Sequence, residues 1–102
     1  MASKKHVKWL KNGSESWNEM RRRNRSLRPN LEYANLQDIL LIKADLWRAN
    51  LKGVDLSRAN LSEADLKVSE LQEANLKSAI MKNANLREAN LLGANLNEAH
   101  LE

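Results

Sequence analysis

The side chains able to do chemistry are few in this chain, and they are scattered. The two histidines, His6 and His100, stand near opposite ends of the 102 residues. Cysteine is absent, which excludes thiolate metal sites and any disulfide framework. Asp45, Asp55 and Asp65 are the carboxylates that could pair as general acid and base. They recur, however, because the surrounding sequence recurs, and they read as solvated outer positions of a repeat. Gly13, Gly53 and Gly93 form no phosphate-cradling loop. No catalytic, cofactor-binding or metal-ligating residue is assigned, and the chain is read as a non-enzyme with no cofactor.

Binding chemistry is better represented. Residues 1–28 carry nine Lys/Arg against two Glu, a net charge of +7, whereas residues 29–102 carry eight against eleven acidic residues, a net charge of −3. A basic N-terminal segment is thus joined to a mildly acidic body. Its densest stretch, residues 20–28, holds Arg21, Arg22, Arg23, Arg25 and Arg28. These could grip nucleic-acid phosphates or an acidic protein. Aromatic residues are not interleaved, and arginines at the end of a helix also complement its dipole. Solvated, dipole-matched charge is the preferred reading.

What positions these groups is a period of five. Leu31, Leu36, Leu41 and so on to Leu101 are fifteen consecutive positions, filled by fourteen leucines and Met81. Two places before each stands a small or β-branched residue in most repeats, as in Ala49, Val54, Ala59 and Ala64, and the residue between is usually Asn or Asp. Five residues advance an α-helix by about 140°, so no apolar stripe can form. On a straight strand an odd period sends successive leucines to opposite faces. A chain that turns one corner per repeat satisfies both columns. It is a solenoid with Leu and Ala inside, very short strands between corners, and turn-tolerant Asn or Asp where an ordinary sheet would not place them.

Tandem A(D/N)LXX, as in Ala49-Asn50-Leu51-Lys52-Gly53 and Ala44-Asp45-Leu46-Trp47-Arg48, resembles the signature of the pentapeptide-repeat proteins. The resemblance covers residues 29–102, and the Trp- and Asn-containing stretch from Gly13 to Leu36 resembles the leader of many cyanobacterial members. It implies an all-β solenoid, a right-handed quadrilateral β-helix with four repeats per coil. Fifteen repeats then make about 3.75 coils and a rod roughly 18 Å long at the usual interstrand spacing. The domain division is accordingly 1–28, a basic segment with a helical cap, and 29–102, the repeat body.

Stacking at twenty residues per coil predicts surface columns. One reads Trp47, Lys67, Arg87, which could hold an acidic or aromatic partner. The preferred alternative is an aromatic ring resting on aliphatic stems or lying under the N-terminal segment. Leu40, Ile42 and Ile80 fall on outward positions, so they should form an apolar patch that needs a partner or a cover. The N-terminal helix folding back is the more economical cover.

The two ends differ. Val7, Leu10, Trp17 and Met20 follow spacings of 3, 7 and 3, compatible with a helix interrupted at Gly13 or with two helices, the second capped by Ser14 or Ser16. Trp17 and Met20 are the expected plug over Leu31 and Leu36, with Pro29 forcing an extended approach to the first repeat. The chain stops at Ala99-His100-Leu101-Glu102 still in register. A fraying end, a domain of a longer protein and an end-to-end homodimer remain open there.

The function expected is a protein-interaction or structural scaffold module, with a protein partner and no membrane association, in the cytoplasm. The alternative is nucleic-acid or acidic-partner binding through residues 20–28. A topoisomerase-binding DNA mimic, a role the family resemblance admits, is less favoured, because such a mimic needs a longer and more acidic rod.

Overall fold

The computed structural model describes residues 1–102. From Leu31 onward the backbone turns once every five residues. In the first turn the Ala34 N–H donates to the Leu31 carbonyl at 3.0 Å, and the same bond closes the turns that follow. The third residue of each turn takes a positive φ. Gly53 and Gly93 do so without penalty, but twelve other residues, Val68 among them, are held at 59° to 62°.

Parallel bridges join residues twenty apart, from Asn30↔Asn50 to Ile80↔His100, so four repeats close one coil and the next coil stacks on it. The N–H of each central Leu or Met from Leu31 to Met81 donates to the coil above at 2.6 to 2.8 Å. The bridging residue donates downward, as Asn50 does to the Pro29 carbonyl at 2.8 Å. Each repeat contributes one bridging residue rather than the short strand that the pattern predicts. The corners come too often for a longer extended run.

The Asn and Asp positions have a direct structural reason. At eleven of them, from Asn30 to Asn95, the side-chain Oδ1 accepts the backbone N–H two residues on at 3.0 to 3.4 Å, satisfying a donor at the start of the turn. Leu40 and Ile80 have no side-chain acceptor to offer there.

Inside the coils, the central leucines from Leu31 to Leu76 and the alanines beside them form one continuous buried core. That core extends into the N-terminal segment. Helix α1 (Lys4–Lys11) starts at Ser3, whose Oγ accepts the His6 N–H, and helix α2 (Ser14–Arg23) follows directly. The break at Gly13, with φ of 113°, gives two helices rather than one. Gly13 itself is the N-cap of α2. Neither Ser14 nor Ser16 caps it with a side chain, and Ser16 Oγ only reaches the Gly13 carbonyl at 3.5 Å. Leu10, Trp17 and Met20 are buried in the same core as Leu31 and Leu36.

The helices also terminate part of the open ladder of the first coil. His6 Nδ1 accepts the Asn30 N–H at 3.0 Å, and Asn18 Oδ1 accepts the Asp45 N–H at 2.7 Å. Trp17 Nε1 donates to the Asp45 carbonyl at 2.8 Å, and Asn18 Nδ2 donates to that of Lys43 at 2.9 Å. Side chains thus occupy positions that another coil would fill. At the other end Leu86, Leu91 and Leu96 are only partly buried and Leu101 is 54% exposed.

Candidate interaction surfaces

Coil stacking and α2 together build a cleft of about 310 Å³ lined by Arg21, Arg25, Asp45, Trp47, Asp65 and Lys67. Trp47 is half-buried, with the Arg48 guanidinium 5.2 Å from its ring centre. Lys67 Nζ lies 3.9 Å from Asp65 Oδ2. Arg87 is exposed one layer beyond and outside the cleft lining, so the structure gathers Trp47 and Lys67 but not the whole column.

The arginine run does not behave as one solvated stretch. Arg21 is 3% exposed, donating to the Leu27 carbonyl at 2.8 Å and the Trp47 carbonyl at 2.5 Å, with Asp45 at 3.6 Å. Burial lowers its pKa, and the Asp45 carboxylate opposes that shift. It is a brace between α2 and the first coil. Arg22 and Arg23 pair with Glu19 on the helix surface, and Arg28 pairs with Glu70 while donating to the Arg48 carbonyl. Arg25 is exposed and forms no ion pair. In a sequence Arg21 looks like its neighbours; only the fold distinguishes it.

The three outward aliphatic side chains are all exposed. Leu40 is 68% exposed, Ile42 43% and Ile80 41%. The expected cover is absent, because α1 and α2 sit on the end of the solenoid, where they are needed to seal the core, and not along this face. Leu40 and Ile80 lie in one column with Asn60 between them, each bridged to it.

Asp45, Asp55 and Asp65 each accept a turn N–H. Asp55 is hydrogen-bonded by the Ser57 N–H, the Ser57 hydroxyl and Gln37. Its pKa is lowered although burial works the other way, since those bonds favour the ionised form. Asp38 is lowered by its hydrogen bonds from Arg58. No group of three or more His, Cys, Asp or Glu is placed to hold a metal ion, and no helix is long and apolar enough to cross a membrane.

One turn per five residues, four turns per coil and a ladder between coils define a pentapeptide solenoid. The chain belongs to the pentapeptide-repeat family: its description, Pentapeptide repeats, matches in eight copies over residues 30–67 and 69–102. Among solved structures, the chain is similar to a pentapeptide repeat protein of Nostoc PCC 7120, at 39% identity over 80% of this chain and 74% of that one, with a TM-score of 0.46. It is also similar to the pentapeptide repeat protein Rfr23 of the cyanobacterium Cyanothece 51142, at 39% identity over 74% of this chain and 59% of that one, with a TM-score of 0.36. A third, from the thylakoid lumen of Arabidopsis thaliana, is 25% identical over 72% of this chain and 55% of that one, with a TM-score of 0.36. No curated protein matches the chain.

Proposed function

We propose that this protein is a non-enzymatic, cytoplasmic interaction module that docks a protein partner on the face bearing Leu40, Ile42 and Ile80. One observation carries the reading. At Leu40 and Ile80 the repeat gives up the Asn or Asp whose side chain would hold the turn, and it exposes an aliphatic side chain instead. The fold gains little from the exchange, since each substitution leaves a turn N–H without its side-chain acceptor. Rows of residues fixed on a stiff solenoid suit the recognition of another protein, and an exposed apolar patch is the usual core of such a contact.

The test is affinity capture from the native lysate, comparing the natural chain with the Leu40→Asn/Ile80→Asn variant, in moderate salt and with nuclease. A discrete protein retained by the natural chain and lost from the variant supports the proposal. Identical captures overturn it. Recovery of nucleic acid alone, lost as salt rises, overturns it in favour of the basic segment.

A further inference from the structure

A second surface lies beyond that reading and does not depend on it. Between α1 and the first coil runs an open groove of about 650 Å³, more apolar than the Trp47 cleft. Met1, Ala2, Val7, Tyr33 and Ala34 supply its apolar lining, and Lys4, Lys8 and Lys11 form one rim. These lysines follow a spacing of i, i+4, i+7, so they make a single stripe along the helix. All three are exposed, and none makes an ion pair within the chain. Helix α1 holds no acidic residue. The one carboxylate in the lining, Glu32, is already engaged by the N-terminal ammonium at 2.5 Å.

The backbone adds a directional feature. In the first coil His6 and Asn18 take up the N–H groups of Asn30 and Asp45, as described above. Asn35, which lines the groove, receives no such partner. Its counterparts one and two coils on, Asp55 and Asn75, donate to the carbonyls of Ala34 and Val54 at 3.0 and 2.8 Å. An edge N–H is therefore left open beside a basic rim and an apolar floor.

We infer that this groove binds an acidic peptide segment with aliphatic anchors, lying extended along the open edge. A peptide carbonyl would accept the Asn35 N–H, an aliphatic side chain would rest on Val7, Tyr33 and Ala34, and carboxylates would meet the lysine rim. The spacings agree. Alternate residues of an extended peptide are about 6.6 Å apart, and Lys4 and Lys8 are separated by a helical rise of about 6 Å. Acidic residues two positions apart can thus meet Lys4 and Lys8.

Fluorescence anisotropy on the full chain tests this with a labelled ten-residue peptide of alternating Glu and Leu. The expected result is saturable binding, weakened roughly fivefold by Lys4→Gln/Lys8→Gln, in line with two exposed charge pairs. The remote Lys77→Gln/Lys82→Gln variant, with the same change in net charge, should bind like the natural chain. Tyr33→Ala should weaken binding without altering net charge. Circular dichroism on each variant confirms an intact fold. Equal binding of a Glu–Gly peptide of the same length overturns the inference by removing the need for anchors. Equal weakening by the two lysine pairs overturns it too, since the attraction would then be only that of overall charge. Phosphatidylglycerol vesicles or a single-stranded oligonucleotide binding through the Lys4–Lys8 rim, with no peptide bound, would also overturn it and assign the groove to another ligand class.

Discussion

Val68 shows what a repeat demands of a single residue. A β-branched side chain at a φ of 60° is out of place, and only the surrounding ladder keeps it there, the Val68 N–H donating to the Arg87 carbonyl at 2.9 Å. Its side chain is 44% exposed, so little packing rewards the strain. Val68→Asn, which suits that backbone region, should raise stability by about 1 kcal/mol, measured by denaturant unfolding. His6 carries a second residue-scale prediction. Burial lowers its pKa from the ordinary 6.5, with the cations Lys5 and Arg21 acting in the same direction, and Trp9 stacks on its ring. Its Nδ1 must be unprotonated to accept the Asn30 N–H. The unfolded chain therefore binds the proton more readily than the folded one. The contribution of His6 is present above its unfolded value of 6.5 and is lost as pH falls through the lowered folded value. Glu19, Glu32, Asp38 and Asp55 are all held below ordinary values of 4.5 or 3.8, so they begin to act only at lower pH. Unfolding followed between pH 7.5 and 5.5 should show stability falling in the natural chain and staying flat in His6→Gln.

At the scale of elements, α1 and α2 solve the problem that an open solenoid end creates. Their apolar residues extend the core, while His6, Trp17, Asn18 and Arg21 bond to backbone groups of the first coil. Trp17→Phe keeps most of the bulk but leaves the Asp45 carbonyl without this donor, and should cost about 1 to 2 kcal/mol. Trp17→Ala also opens a cavity and should cost about 3 to 5 kcal/mol. The two values, compared by equilibrium unfolding, separate sealing from hydrogen bonding. Trp17 and Met20 could be read from the sequence as plug residues because apolar spacing announces them. The roles of His6 and Asn18 could not, for they depend on a backbone edge 24 to 27 residues away. The spacing marks Leu10 as part of a stripe but not as a plug, and it does not decide the helix break, because Gly13 admits either a strained helix or two.

For the whole molecule, the Leu and Ala columns were legible in the sequence because every repeat restates them, so a lapse at one position hardly blurs the register. Outward residues carry no such redundancy. Whether Leu40, Ile42 and Ile80 are covered depends on where the N-terminal helices settle, and sealing the end leaves them none to spare for that face. The division of the arginines into a buried brace, paired surface charges and unpaired Arg25 depends on the same packing. Docking on this face therefore requires that Leu40 and Ile80 be dispensable to the fold. Equilibrium denaturation of Leu40→Asn/Ile80→Asn, beside Leu61→Asp as a core control, tests it most directly. The double variant should equal or exceed the natural chain in stability, since each Asn restores a turn hydrogen bond of about 1 kcal/mol, while Leu61→Asp unfolds because a buried carboxylate goes unpaired. A loss of about 2 kcal/mol or more in the double variant would make the two side chains structural and contradict the docking face.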